Sequence, residues 1–203
     1  MADIITNETL KKYAEIATDA FMEDPVYQKV AKNEKKRRQV IYHGVLIRLY
    51  DSRNNGDLFY FDEEDRGLLV LRDVNRELQF SQFLKCPNFM ALFVLLPYVL
   101  KLFSIIGKFD NKAILGDKSY VVSPIFVSKE HQRKGVASGL IKRAVADIVP
   151  QGYKIGLDTQ NPDNVEKYEK WALNCLRKNF TKKTRYITII CLLNNNFTKG
   201  ETI

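Results

Sequence analysis

The chain has 203 residues, 45% of them hydrophobic, enough to bury a core without covalent staples. Three separated cysteines, Cys86, Cys175 and Cys191, with two histidines and no C-x-x-C pair, exclude a disulfide framework or a zinc site as the economical reading. The net charge of +8 suits a polyanionic ligand, a nucleic acid or an anionic membrane, and with no basic, apolar and small-residue leader at the start a cytoplasmic location is expected.

In chain order, Ile4 and Ile5 read as a short first strand. From Asn7 to Phe21, the residues Leu10, Ala14, Ala17 and Phe21 recur at helical spacing until Asp24-Pro25 interrupts them. A second helix is predicted from Glu34 to Asp51 on Val40, Ile41, Val45, Ile47 and Leu49, and its His43 reads as structural. Lys35-Lys-Arg-Arg38 wraps around that helix instead of forming one stripe, as a solvated face does. Asn54-Asn-Gly-Asp57 marks a turn, Leu58–Phe61 a strand, Asp62-Glu-Glu-Asp65 a charged tip and Gly67–Leu71 a second strand, which together make a hairpin.

The run from Phe89 to Leu100 carries no charge. Pro97 inside it and Lys101 after it leave it short of the ~20 apolar residues a membrane span needs, so a buried helix pair is expected and no transmembrane segment. Ser119 to Val127 is then a strand, followed at once by His131-Gln-Arg-Lys-Gly-Val-Ala-Ser-Gly139. Helical periodicity begins at Val136 and continues through Leu140, Ala144 and Ile148, while Gly135, Ala137, Ser138 and Gly139 keep side chains small at the helix start. The first amides of a helix have no intrahelical acceptor, and the macrodipole attracts an anion there by up to ~2 kcal/mol. Arg133 and Lys134 add positive charge, so a phosphate site is expected. The P-loop spelling fails, because Leu140 and Ile141 follow the last glycine, and the G-x-G-x-x-G dinucleotide spacing is missing as well.

Gln132-Arg-Lys-Gly135-Val-Ala137 resembles the Gln/Arg-x-x-Gly-x-Gly/Ala signature of the GNAT acetyltransferase superfamily. Downstream, Tyr153-Lys-Ile-Gly-Leu-Asp158 resembles that superfamily's next strand, and Asn161-Pro-Asp-Asn164-Val-Glu-Lys-Tyr168 its next helix. At ~100° per residue, Asn161, Asn164 and Tyr168 fall on one helical face. Val165, Trp171, Ala172 and Cys175 share it, so Tyr168 is a core tyrosine in the bland reading and a functional one in the sharper reading. Trp171-Ala-Leu-Asn-Cys reads as continuing this helix, Arg177 to Arg185 as a solvated turn, and Thr184 to Leu193 as the closing strand. Ala20-Phe21-Met-Glu-Asp24-Pro25, the basic Lys35-to-Arg38 run and the Asn161-to-Tyr168 wording look most like the branch that includes puromycin N-acetyltransferase. Two departures stand out. The family's Gly-Phe after the tyrosine is missing, and Ser123-Pro124 stands where some relatives place an acidic residue.

The resemblance implies an α/β (α+β) fold, with a central mixed, mostly antiparallel twisted sheet of about six to seven strands flanked by helices. It implies a single domain over 1–203, with an acceptor-side half over 1–117 and an acetyl-CoA-binding half over 118–193. The implied activity is direct transfer of an acetyl group from acetyl-CoA to a primary amine of an unidentified acceptor, with no metal. In that scheme Ile125, Phe126 and Val127 pair with the pantetheine arm, and one of their N–H groups polarises the thioester. Gln132, Arg133, Lys134, Gly135, Val136, Ala137 and Ser138 hold phosphate, and Asn161 and Asn164 help to hold coenzyme A. Tyr168 donates a proton to the leaving thiolate. The general base is unassigned among Ser123, Asp158, Glu23 and Asp24. The apolar 89–106 segment is read first as part of an acceptor pocket, with a homodimer contact also open. Other readings are a catalytically idle coenzyme-A-binding domain, a nucleic-acid-binding module, which is not expected, and a longer acyl donor.

Overall fold

The computed structural model describes residues 5–76, 96–98, 100–101, 111–159, 174–181 and 186–193, with 158–159 and the last two stretches described as backbone. The helices are α1 (Asn7–Phe21), α2 (Pro25–Val30), α3 (Glu34–Asn54), α4 (Asn111–Leu115) and α5 (Val136–Ile148). The strands are β1 (Leu58–Phe61), β2 (Gly67–Asp73), β3 (Ser119–Val127), β4 (Lys154–Thr159), β5 (Asn174–Thr181) and β6 (Tyr186–Leu193). They form one sheet in the order β1-β2-β3-β4-β6-β5. Only β3 and β4 run parallel; every other neighbouring pair is antiparallel. The result is a mixed α/β architecture of an open sheet flanked by helices.

Short polar caps set where the first three helices begin. Thr6 Oγ1 accepts the Thr9 N–H at 3.1 Å, Asp24 Oδ1 the Val26 N–H at 2.8 Å and Asn33 Oδ1 the Lys36 N–H at 3.0 Å. Asp24-Pro25 therefore ends one helix by starting another, with Pro25 in the first turn, where its missing N–H is an orphan anyway. The short helix α2 was not legible as an element of its own. The expected first strand is not formed either. Ile5 belongs to no strand and packs against the core of α1 and α3, while Ile4 lies outside the described residues.

The sheet is covered on both faces. On one, Leu10, Tyr13, Ala14 and Ala17 of α1 and Ile41, Leu46 and Leu49 of α3 pack on Leu68, Val70 and Phe126. On the other, Leu140, Ile141, Val145 and Ile148 of α5 pack on Leu69, Leu71, Val122, Ile155 and Leu157. Strand β2 buries both its faces, which is why Gly67-Leu-Leu-Val-Leu71 is a continuous apolar run and not an alternating one.

Two expectations near the C-terminus are corrected. Asn174 and Cys175 open β5 instead of continuing a helix, and Arg177 to Thr181 is strand, not a solvated turn. This segment pairs with β6 from Asn174↔Leu192 to Thr181↔Tyr186, so a hydrogen-bonded ladder overrides the charge pattern. Strand β5 stands at one end of this strand order.

Gly156 marks the tightest approach between layers. A β-carbon there would lie 2.4 Å from Leu115 Cδ1, since α4 sits directly over β4. Gly156→Val is expected to lower unfolding free energy by ~1–3 kcal/mol through overpacking, and Leu115→Ala to recover part of that loss in the double variant; denaturant melts of the four proteins check it.

Candidate functional site

The sheet is open in its middle. Parallel pairing of β3 with β4 covers Ser119↔Lys154, Tyr120↔Ile155 and Val121↔Gly156 and stops there, after which β4 continues along β6 and β3 along β2. At the same point β3 bulges. Leu69 faces Ile125 while Leu71 faces Val122, so Ser123 and Pro124 together oppose Val70. Proline has no N–H to give a ladder, which suits it to a bulge.

Beyond the bulge, the edge of β3 facing β4 pairs with no strand among the described residues. Ser128 N–H donates to the Arg66 carbonyl at 2.7 Å, on the β2 side. Alternation along the strand turns the N–H of Phe126 the same way and those of Ile125 and Val127 towards the gap. Gln132 Nε2 donates to the Val127 carbonyl at 3.2 Å, which ties the following loop to that edge. Of the three strand residues singled out in the sequence, Phe126 is thus committed by its side chain to the α1–α3 core and by its backbone to β2.

The loop then delivers the start of α5. Arg133 takes φ 63° and Gly135 φ 81°, so the chain curls tightly before the helix. Gly135 is the N-cap, and no side chain caps it. The first rung of the ladder runs from Gly139 N–H to the Gly135 carbonyl at 2.9 Å, which leaves Val136, Ala137 and Ser138 with amides that precede the ladder. Ser138 Oγ turns to the Gly135 carbonyl at 2.8 Å instead of an amide. A β-carbon on Gly139 would meet nothing within 4 Å, although alanine favours a helix over glycine by ~1 kcal/mol. The protein's own packing does not require that smallness. Beside this turn lies a cavity of about 500 Å³, lined among others by Lys134, Gly135, Ser138 and Gly139, with Arg66 and Arg143 near the hairpin.

A second polar feature was missed in the sequence. Arg48 and Asp51 of α3 and its C-cap Asn55 recur at i, i+3 and i+7, which places them on one face. Arg76 Nη2 pairs with Asp51 Oδ2, Arg76 Nη1 lies 2.7 Å from Asp57 Oδ2, and Asn55 Nδ2 donates to Asp51 Oδ1 at 3.0 Å. Burial raises the Asp57 carboxyl above its usual range, against the opposing pull of its neighbours Ser52, Arg76 and Arg48. Arg48 reaches instead to Ser123 Oγ at 2.6 Å, at the bulge where the sheet opens. Burial, reinforced by Arg72, lowers the Arg48 guanidinium to about 10.

The proposed relays part company. Asp24 caps α2, Glu23 Oε2 accepts from Gln28 Nε2 at 3.1 Å, and Ser123 Oγ accepts from a guanidinium whose charge disfavours its taking up a further proton. Asp158 is described as backbone on β4, and Asn161, Asn164 and Tyr168 lie outside the described residues. So does most of 89–106; of it, Tyr98 packs on Val26, Val30 and Val40. His43 is half-buried, edge-on to Tyr42 at 5.1 Å, with burial lowering its pKa. The basic run at 35–38 is partly spent within the fold. Arg38 pairs with Glu15 and Asp19, and Arg37 Nη1 donates to the Ala31 carbonyl at 3.2 Å. No helix among the described residues is long and apolar enough to cross a membrane.

Comparison with solved structures finds this fold in acetyltransferases. An N-acetyltransferase from Staphylococcus aureus matches with a TM-score of 0.59 at 13% identity, over 93% of this chain and 97% of that one. A Desulfovibrio desulfuricans chain assigned to the GNAT acetyltransferase family matches with a TM-score of 0.54 at 12% identity, over 94% and 95%. The PaiA N-acetyltransferase of Thermoplasma acidophilum, solved in complex with coenzyme A, matches with a TM-score of 0.51 at 14% identity, over 91% and 93%. No family model matches the chain, and no curated protein does. At these identities the likeness is one of fold.

Proposed function

We propose that the chain is an acetyl-CoA-dependent N-acetyltransferase that moves an acetyl group directly to a primary amine. The observation that carries this reading is the combination of a β3 edge at Ile125 and Val127 that pairs with no strand among the described residues with amides at Val136, Ala137 and Ser138 that no side chain caps, joined by the loop that Gln132 anchors. An extended arm with amide groups fits the first, and a pyrophosphate fits the second. Arg133 and Lys134, both exposed, supply charge to the phosphates. The thioester, when bound, supplies the activated acetyl group. A gap-facing N–H of β3 then stabilises the charge that grows on the acetyl oxygen, and holding amine and acetyl group together contributes much of the acceleration.

Asn161 and Asn164 are assigned to coenzyme A and Tyr168 to protonation of the thiolate, on the motif they match. A tyrosine at its reference pKa of ~10 is protonated at neutral pH and needs no tuning for that role. The puromycin N-acetyltransferase-like wording of the sequence favours a small-molecule acceptor.

Calorimetric titration with acetyl-CoA tests the reading, with Gly135→Glu and Ser138→Glu in parallel. An acid in the first turn favours the helix through the macrodipole, so Ser138→Glu keeps the fold while it repels phosphate. Binding by the wild type that both variants lose by more than about tenfold is expected. Absence of binding by the wild type would sink the acetyltransferase reading.

A further inference from the structure

The Arg48–Ser123 contact joins α3 to the bulge at the mouth of the sheet opening, across 75 residues of sequence. The two carboxylates nearest Arg48 are both engaged elsewhere, Asp51 by Arg76 and Asn55 and Asp57 by Arg76. Arg72 and Arg76 are like-charged neighbours. Among the described residues, therefore, the only hydrogen bond made by the Arg48 guanidinium is to a neutral hydroxyl, although the group has five N–H donors in a planar fork. That side chain is largely buried yet keeps some access to solvent.

We propose that Arg48, with Ser123 fixing its orientation, recognises a carboxylate on the acceptor, so that the substrate is an amine that also bears a carboxylate, such as an amino acid. The inference rests on the acetyltransferase reading and names the substrate class of that same site. A guanidinium already oriented by one short bond accepts a carboxylate through two parallel N–H donors with little further ordering. The same cation repels polyamines, so the site selects against the most basic acceptors by charge and for the carboxylate by geometry. The reacting amine is delivered neutral, and its lost proton leaves through solvent.

The test is an acetyl-transfer assay, reading free thiol, with three sets of acceptors: amino acids, their carboxamides, and the polyamines putrescine and spermidine. Amino acids are expected to exceed their carboxamides in kcat/KM by more than about a hundredfold, with polyamines inert. Arg48→Lys and Arg48→Gln are expected to raise KM for the amino acids by at least about tenfold, while the acetyl-CoA Kd from calorimetry stays unchanged. The wild-type comparison needs no variant to fold. If acetyl-CoA binds but carboxamides or polyamines react as well as amino acids, the inference falls and the acetyltransferase reading stands. If no amine of the three sets is acetylated although acetyl-CoA binds, the carboxylate inference is overturned, and if acetyl-CoA does not bind, both readings fail together.

Discussion

Arg76→Ala is expected to cost about 3–5 kcal/mol of unfolding free energy, because it strands two carboxylates inside the protein. Asp51 and Asp57 have side chains only 2% exposed, and both lean on this one guanidinium, itself 12% exposed. The loss is that of buried charge left unpaired, not the net worth of an ion pair, which would be much smaller. The pH dependence separates the two. Asp57 already titrates above its ordinary value because it is buried, and Arg76 is one of the groups holding it down. Without Arg76 the folded-state value rises further above the unfolded one, so the folded state takes up protons that the unfolded chain does not. The defect should therefore shrink as pH falls from 7 towards ~4, the unfolded carboxylate value, the reverse of ordinary acid sensitivity. Denaturant melts of both proteins at pH 7.5 and 5.0 measure it; a defect that is small, or that deepens on acidification, contradicts this account.

Tyr168→Phe is expected to lower kcat by ~10²-fold or more with no change in the Kd for acetyl-CoA, since only the proton delivered to the departing thiolate is lost. Steady-state rates with the best amine acceptor, beside a calorimetric titration, separate chemistry from binding. A role confined to core packing would instead lower stability and leave the rate of the folded fraction intact. Full activity in the variant would return Tyr168 to the reading as a core tyrosine.

What could be read from the sequence follows from which signals are local. Helix α1 was visible because it lays a buried stripe at helical spacing, and β2 because a strand covered on both faces has to be continuously apolar. The tight turn before α5 was visible for a similar reason, since its small residues and two basic ones lie within seven positions of Gln132. Strand β5 was hidden. Arg177, Lys178 and Asn179 break any apolar alternation, and what makes the segment a strand is its partner β6, which the local sequence does not contain. The pairing of Arg48 with Ser123 was hidden for the same reason. It depends on a helix and a bulge brought together by the core, and only the shared face of Arg48, Asp51 and Asn55 hinted at it.

The opening in the sheet also bears on how the protein holds together. β1, β2 and β3 form one ladder, β4, β6 and β5 another, and three residue pairs at the foot of the gap join them, with α5 laid across the seam. Each half thus has its own hydrogen-bonded identity and opens as a separate unit more readily than a continuous sheet would. On the proposed function, an extended coenzyme lying in the gap, bonded to one ladder with its phosphates on α5, would couple the two, so that binding it is expected to stabilise the fold as well as to supply the reactant.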